Sequence, residues 1–131
     1  MRKVPLTLVH AIVMPSPGWQ ISEVRELYET DADAILDDAI TDLNEFMKNE
    51  TPTDIRRQLF FSRPSAALID MSKDAEMVVV GARGLGALRR VLMGSVSNAL
   101  IHHAHCPVAV VTSTICCRIA PWFFANSRLA M

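Results

Sequence analysis

Val78-Val79-Val80-Gly81-Ala82-Arg83-Gly84 and, after nine further residues, Gly94-Ser95-Val96-Ser97 decide the fold, because they spell a strand, a glycine turn and a helix start in succession. Three adjacent valines fit a strand buried on both faces, the habit of a parallel sheet. Gly81 stands where that strand must turn, and glycine admits positive φ and the close approach of a ligand to backbone. From Val96 onward the apolar residues Val96, Ala99 and Leu100 recur at helical spacing, with His103 and Ala104 extending the stripe. Gly94 and Ser95 therefore open a helix whose first N–H groups lack intrahelical partners and carry the positive end of the dipole, about half a unit charge. Such a helix start favours phosphate, and the hydroxyls of Ser95 and Ser97 offer two further donors.

Charge is distributed to the same effect. Beyond Glu76 the sequence has no Asp or Glu, while Arg83, Arg89, Arg90, Arg118 and Arg128 all fall there. Acids instead crowd residues 23–50, where Glu23, Glu26, Glu29, Asp31, Asp33, Asp37, Asp38, Asp42, Glu45 and Glu50 face only Arg25 and Lys48. The formal net charge of −1 thus conceals a dipolar chain. Two familiar phosphate loops fit poorly. A Walker loop needs Gly-Lys-Ser or Gly-Lys-Thr, and no lysine follows Lys73. A dinucleotide fingerprint needs its glycines in one tight turn and an acid after the next strand, where none remains.

Upstream, residues 6–13 read as a strand closed by Pro15-Ser16-Pro17-Gly18. Over 21–47 the set Ile21, Val24, Leu27, Tyr28, Leu36, Ala39, Ile40, Leu43 and Met47 keeps helical spacing, with Ser22 as its cap. Residues 57–62 form a short strand, 64–73 a helix with Ala67, Leu68 and Met71 inward, and 108–112 a last strand. Strands alternating with helices give an α/β domain with a parallel, Rossmann-like sheet. A length of 131 residues, half of them apolar, suits one domain with its own core. Cys106, Cys116 and Cys117 make no paired framework, which favours a reducing cytoplasm. The basic start and apolar run resemble a signal peptide, but His10 interrupts the run and prolines occupy the cleavage region. No stretch is long enough to span a membrane, and near-neutral charge without interleaved aromatics argues against nucleic acid.

The glycine pattern, flanked by Met77-Val78-Val79-Val80 and by His102-His103-Ala104-His105-Cys106-Pro107-Val108-Ala109-Val110-Val111, resembles the carboxyl half of the universal stress protein family in its ATP-binding branch. Leu6-Thr7-Leu8-Val9-His10-Ala11 is similar, more loosely, to that family's second strand. The resemblance covers about residues 2–112 and implies a flavodoxin-like, adenine nucleotide alpha hydrolase-like sheet in the order 3-2-1-4-5. It implies that Gly81, Gly84, Gly94, Ser95, Val96 and Ser97 surround the ribose and phosphates of ATP, carried as Mg-ATP, and that Val80 and Ala11 border the adenine. It further implies binding with at most slow hydrolysis, no catalytic residue, and a homodimer paired through the strand at 108–112.

Two departures set expectations of their own. The family opens with a strand whose closing aspartate reads adenine, then a helix, and neither precedes the counterpart of the second strand here. That strand is the central one, so its backbone partners must be satisfied either by direct closure of the two half-sheets or by a strand from another chain. Selectivity for adenine should weaken. After Thr112 the sequence resembles nothing in the family, and 113–131 reads as an apolar tail on a domain of residues 1–112, either poorly ordered or using Trp122, Phe123 and Phe124 to cover an exposed sheet edge or a partner. A truncated or rearranged gene product would carry both departures. The alternatives to a regulatory nucleotide binder are a ligand-independent dimerisation module and a nonfunctional remnant. His102, His103, His105 and Cys106 have metal-ligand chemistry, but histidines also suit a helix carboxyl end, and no second ligand pair accompanies them.

Overall fold

A computed structural model describes residues 5–13, 22–48, 54–82, 93–111 and 123–127, the segments 22–24 and 123–127 as backbone only. The elements are β1 (Leu6–Ala11), α1 (Ser22–Met47), β2 (Ile55–Phe60), α2 (Pro64–Met71), β3 (Ala75–Gly81), α3 (Ser95–His103), β4 (Val108–Val111) and β5 (Phe123–Ser127). The five strands form one sheet in the order β2-β1-β5-β3-β4. β1 pairs with β2 and β3 with β4 in parallel, as successive strands joined by helices must. The alternation of strand and helix through β4 follows the sequence pattern, with small differences at the boundaries. β2 begins at Ile55 and ends at Phe60, so its ladder runs from Leu6–Ile55 to Ala11–Phe60. α1 begins at Ser22 itself, which makes Ser22 the first helical residue and places the cap among residues outside those described.

At the centre the structure departs from both solutions expected for the re-pairing of β1 and β3. The half-sheets do not close on each other, and no second chain is needed: β5, from the apolar tail, lies between them and runs antiparallel to both. Its register sets Ala125 opposite Thr7, Phe124 opposite Leu8 and Phe123 opposite Val9 on one side. On the other side Ser127 lies opposite Ala75, Asn126 opposite Met77, Ala125 opposite Val78 and Phe124 opposite Val79, with an irregularity between Ala75 and Met77. An empty slot would leave the inner backbone groups of two strands without partners in a dry interior, at a cost of about 1–3 kcal/mol for each orphaned group. The antiparallel direction follows from chain order. β4 ends at the carboxyl edge of the sheet and β5 starts there, so it can only run back.

Helices cover both faces. Leu8 is fully buried with Leu36 and Ala39 of α1, and Val9, one residue on, is buried with Leu68, Val78, Val80 and Leu100 on the side of α2 and α3. The two-residue period of a strand thus sends successive β1 side chains into two separate cores. Leu8, Leu68, Val78 and Leu100 each have no exposed surface, and burying one such side chain contributes about 1.5–3 kcal/mol. Along α1 the burial follows the helical stripe at Ala32, Leu36 and Ala39, whereas Leu27 projects into solvent. Asp37 on its outer side pairs with Arg57 of β2. The carboxyl end of α2 is tied to the chain before β4 by Ser72, whose buried hydroxyl donates to the Ile69 carbonyl (2.6 Å) and accepts from the His105 N–H (2.9 Å).

If β5 supplies the inner partners of β1 and β3, a proline at its midpoint breaks both ladders. Ala125→Pro should lower stability by about 3 kcal/mol or more, read as the midpoint of urea or thermal unfolding followed by circular dichroism. An unchanged midpoint would contradict the placement of β5.

Candidate functional site

The sheet's connections diverge at its centre: β1 leads outward to β2, and β3 leads the other way to β4. At such a switch point the loops leave in opposite directions and open a crevice beyond the carboxyl ends of the strands. Ala11 lies on the β1 side of that crevice, and Val80 and Gly81 lie on the β3 side, followed by the start of α3.

The return from β3 to α3 is drawn tight by one carbonyl. Ala82 is buried and its oxygen accepts from the Gly94 N–H at 2.6 Å and from Ser97 Oγ at 3.2 Å. Ser97 Oγ also lies 3.0 Å from the Gly94 oxygen, and Ser97 is 1% exposed. Its proton is therefore engaged inside the turn, and Ser97 serves the site by fixing the backbone rather than by presenting a hydroxyl outward. Ser95 is exposed, Gly94 and Val96 are half-buried, and all three stand at the first turn of α3. Gly94 occupies the cap position with φ −74° and ψ 160°. Among the described residues no side chain caps the helix start, whose positive dipole end carries no acidic neighbour in the first turn.

The glycines act by size and not by handedness. Among the described residues no glycine has positive φ, which corrects the expectation of a left-handed turn at Gly81. Gly81 instead continues the ladder opposite Val111, and the next residue, Ala82, donates to the Val111 oxygen at 2.8 Å. What both positions gain is the missing Cβ, which leaves backbone accessible at the strand end and the helix start. Val80 is 1% exposed, its side chain turned into the core with Leu68 and Leu100, so only its backbone borders the crevice. Gly84 and Arg83, Arg89 and Arg90 lie outside the described residues.

A family model described as the universal stress protein family matches residues 1–112. The chain belongs to this family. A universal stress protein of Mycobacterium bovis is 36% identical over 117 residues, covering 86% of this chain and 40% of that protein. One from Mycolicibacterium smegmatis is 39% identical over 119 residues, 85% of this chain and 39% of its own length. The chain therefore spans about two fifths of the length of these curated relatives. Among solved structures, the universal stress protein UspA from Lactobacillus plantarum superposes with a TM-score of 0.63 at 21% identity, over 84% of this chain and 79% of that one. That likeness concerns the fold. The family match ends at residue 112, so the central strand β5 comes from sequence beyond it.

Among the described residues of this universal stress protein no three His, Cys, Asp or Glu side chains converge. His102 and His103 sit exposed in the last turn of α3 with ring centroids 6.3 Å apart. Burial pushes the Cys106 thiol up from its ordinary range, away from nucleophilic use. Sequence inspection missed Ala82, whose contribution is a carbonyl and leaves no mark in residue type. No helix among the described residues is long and apolar enough to cross a membrane.

His10, half-buried next to Ala11, is held below the usual imidazole range by desolvation. Because the folded chain binds this proton less readily than the unfolded one, the contribution is intact above about pH 6.5 and is lost as pH falls through the lowered folded value. Stability should decline with acid over that interval, and His10→Gln should flatten the decline, as read from urea unfolding at a series of pH values. An equal slope in the variant would contradict a neutral, desolvated His10.

Proposed function

We propose that this universal stress protein is a stress-response regulator that binds an adenine nucleotide, as Mg-ATP, across the carboxyl ends of β1 and β3. The supporting observation is the α3 start: an uncapped turn without acids, carrying exposed Ser95 and a Cβ-free Gly94, set 2.6 Å from the Ala82 carbonyl that ends β3. Phosphate oxygens would meet the N–H groups of Ser95 and Val96 and the Ser95 hydroxyl, with Gly81 and Gly84 allowing close approach and Ser97 holding the turn. The adenine would lie toward Ala11 and the backbone of Val80. The donors at this turn suit phosphate oxygens, and the magnesium would arrive with the phosphates. Among the described residues no general base stands at this turn, and the proposed role is retention of nucleotide, with hydrolysis slow at most.

A second property is favoured by one topological fact. β4 closes the sheet on one side, pairing with β3 alone among the described strands. Its apolar edge, Val108-Ala109-Val110-Val111, fits a homodimer made by strand pairing between two copies, with or without nucleotide. We place the protein in the cytoplasm, since its cysteines form no paired framework.

Gly94 tests the nucleotide site without disturbing the turn, because φ −74° and ψ 160° are open to alanine. Titration calorimetry with Mg-ATP should give binding in the parent chain and an affinity lower by about tenfold or more in Gly94→Ala, the added methyl standing where phosphate must come closest. Equal affinities, or no binding by the parent chain, would contradict the proposal.

A further inference from the structure

β5 differs from every other strand in ways that bear on its exchange. It is central yet lies beyond all other described elements in the chain, so it can leave the sheet without dragging any of them with it. It runs antiparallel where the remaining pairs are parallel, and its ladders are three opposed residues toward β1 and four, with an irregularity, toward β3, against six between β1 and β2 and four, unbroken, between β3 and β4. When it leaves, β1 and β3 present two unpaired edges facing one slot, with Leu8 and Val9 beside one edge and Val78 and Val79 beside the other. A central slot with a dry apolar lining does not stay empty. Any strand with the β5 sequence fills it with the same hydrogen bonds, whichever copy supplies it.

The connection is long for its task. Val111 lies opposite Gly81 and Phe123 opposite Val9, so residues 112–122 need only pass from the end of β4 across β3, two strand spacings or about 10 Å. Their extended length is about 36–40 Å. That slack is several times what closure within one chain requires, and it is enough for β5 to reach a slot in a neighbouring copy. A tether of eleven residues holds β5 at an effective concentration on the order of millimolar near its own slot. At low protein concentration the chain therefore completes itself. When chains fold together at concentrations approaching that value, the partner's strand competes on equal terms.

We propose that the slot between β1 and β3 is a strand-acceptor site, filled by β5 of the same chain in the monomer and by β5 of a second copy in an exchanged dimer. The proposal does not depend on nucleotide binding or on the β4 edge.

The β1–β5 register supplies the test. Thr7 and Ala125 are directly opposed, at a spacing of about 4.5–5.5 Å that a disulfide spans. In a full-length background with Cys106, Cys116 and Cys117 replaced by alanine, one chain carries only Thr7→Cys and another only Ala125→Cys. The two are unfolded together, refolded over a range of concentrations up to about millimolar, oxidised and separated by size without reductant. A chain carrying both substitutions is oxidised in parallel at low concentration. The expected result is a mixed dimer linked through positions 7 and 125, confirmed by peptide mass, whose yield rises with refolding concentration and vanishes on dilution, alongside a link within the doubly substituted monomer. The monomer link without any mixed dimer would overturn exchange. Absence of the monomer link would overturn the slot's occupancy by β5 and the proposal with it.

Discussion

Two short hydrogen-bonded ladders, from β5 to β1 and from β5 to β3, join the two halves of the sheet. β1 and β2 form one half and β3 and β4 the other, with α1 on one face of the sheet and α2 and α3 on the opposite face. The apolar cluster of Val9 with Leu68, Val78, Val80 and Leu100 crosses between the halves, but it is non-directional and sets no register. Register comes from the backbone. Because side chains alternate along a strand, the ladders decide that Leu8 enters one core and Val9 the other, and a slip of one residue would invert both.

The crevice beyond the carboxyl ends of β1 and β3 inherits its geometry from the same arrangement. Its two walls, the Ala11 end of β1 and the Gly81 end of β3, belong to different halves of the sheet, and their separation is the width of the strand between them. The α3 side needs less help, since the Ala82 carbonyl, Gly94 and Ser97 close the turn locally. The α3 side of the crevice is thus built by local contacts, whereas the β1 side depends on a distant segment of the chain.

The parts legible in sequence are those whose cause is local. The valines of β3, the helical stripe of α1 with Leu36 and Ala39, and the helix start at Gly94-Ser95 state their structure in periodicity and residue type, and the family match over 1–112 agrees with them. β5 was not legible, because Phe123-Phe124-Ala125-Asn126-Ser127 has no two-residue alternation and its partners, Thr7 to Val9, lie at the opposite end of the chain. A vacancy in the sheet could be inferred from sequence, whereas the identity of the strand that fills it depends on which distant segment fits the slot. Ser97 illustrates the same limit at atomic scale. A serine in a first helical turn suits both a ligand and a backbone carbonyl, and only the 3.0 and 3.2 Å distances decide for the carbonyls.

Amide hydrogen exchange on the full-length chain, resolved to residues 123–127, tests the central role of β5 most directly. Backbone N–H groups bonded in the middle of a sheet exchange only through opening of the structure that holds them. The account predicts that the amides bonded within β5 are slowed by orders of magnitude relative to an unfolded chain, and that they lose protection together with the facing amides of β1 and β3. Exchange at 123–127 at the unfolded rate, with β1 and β3 still protected, would contradict it.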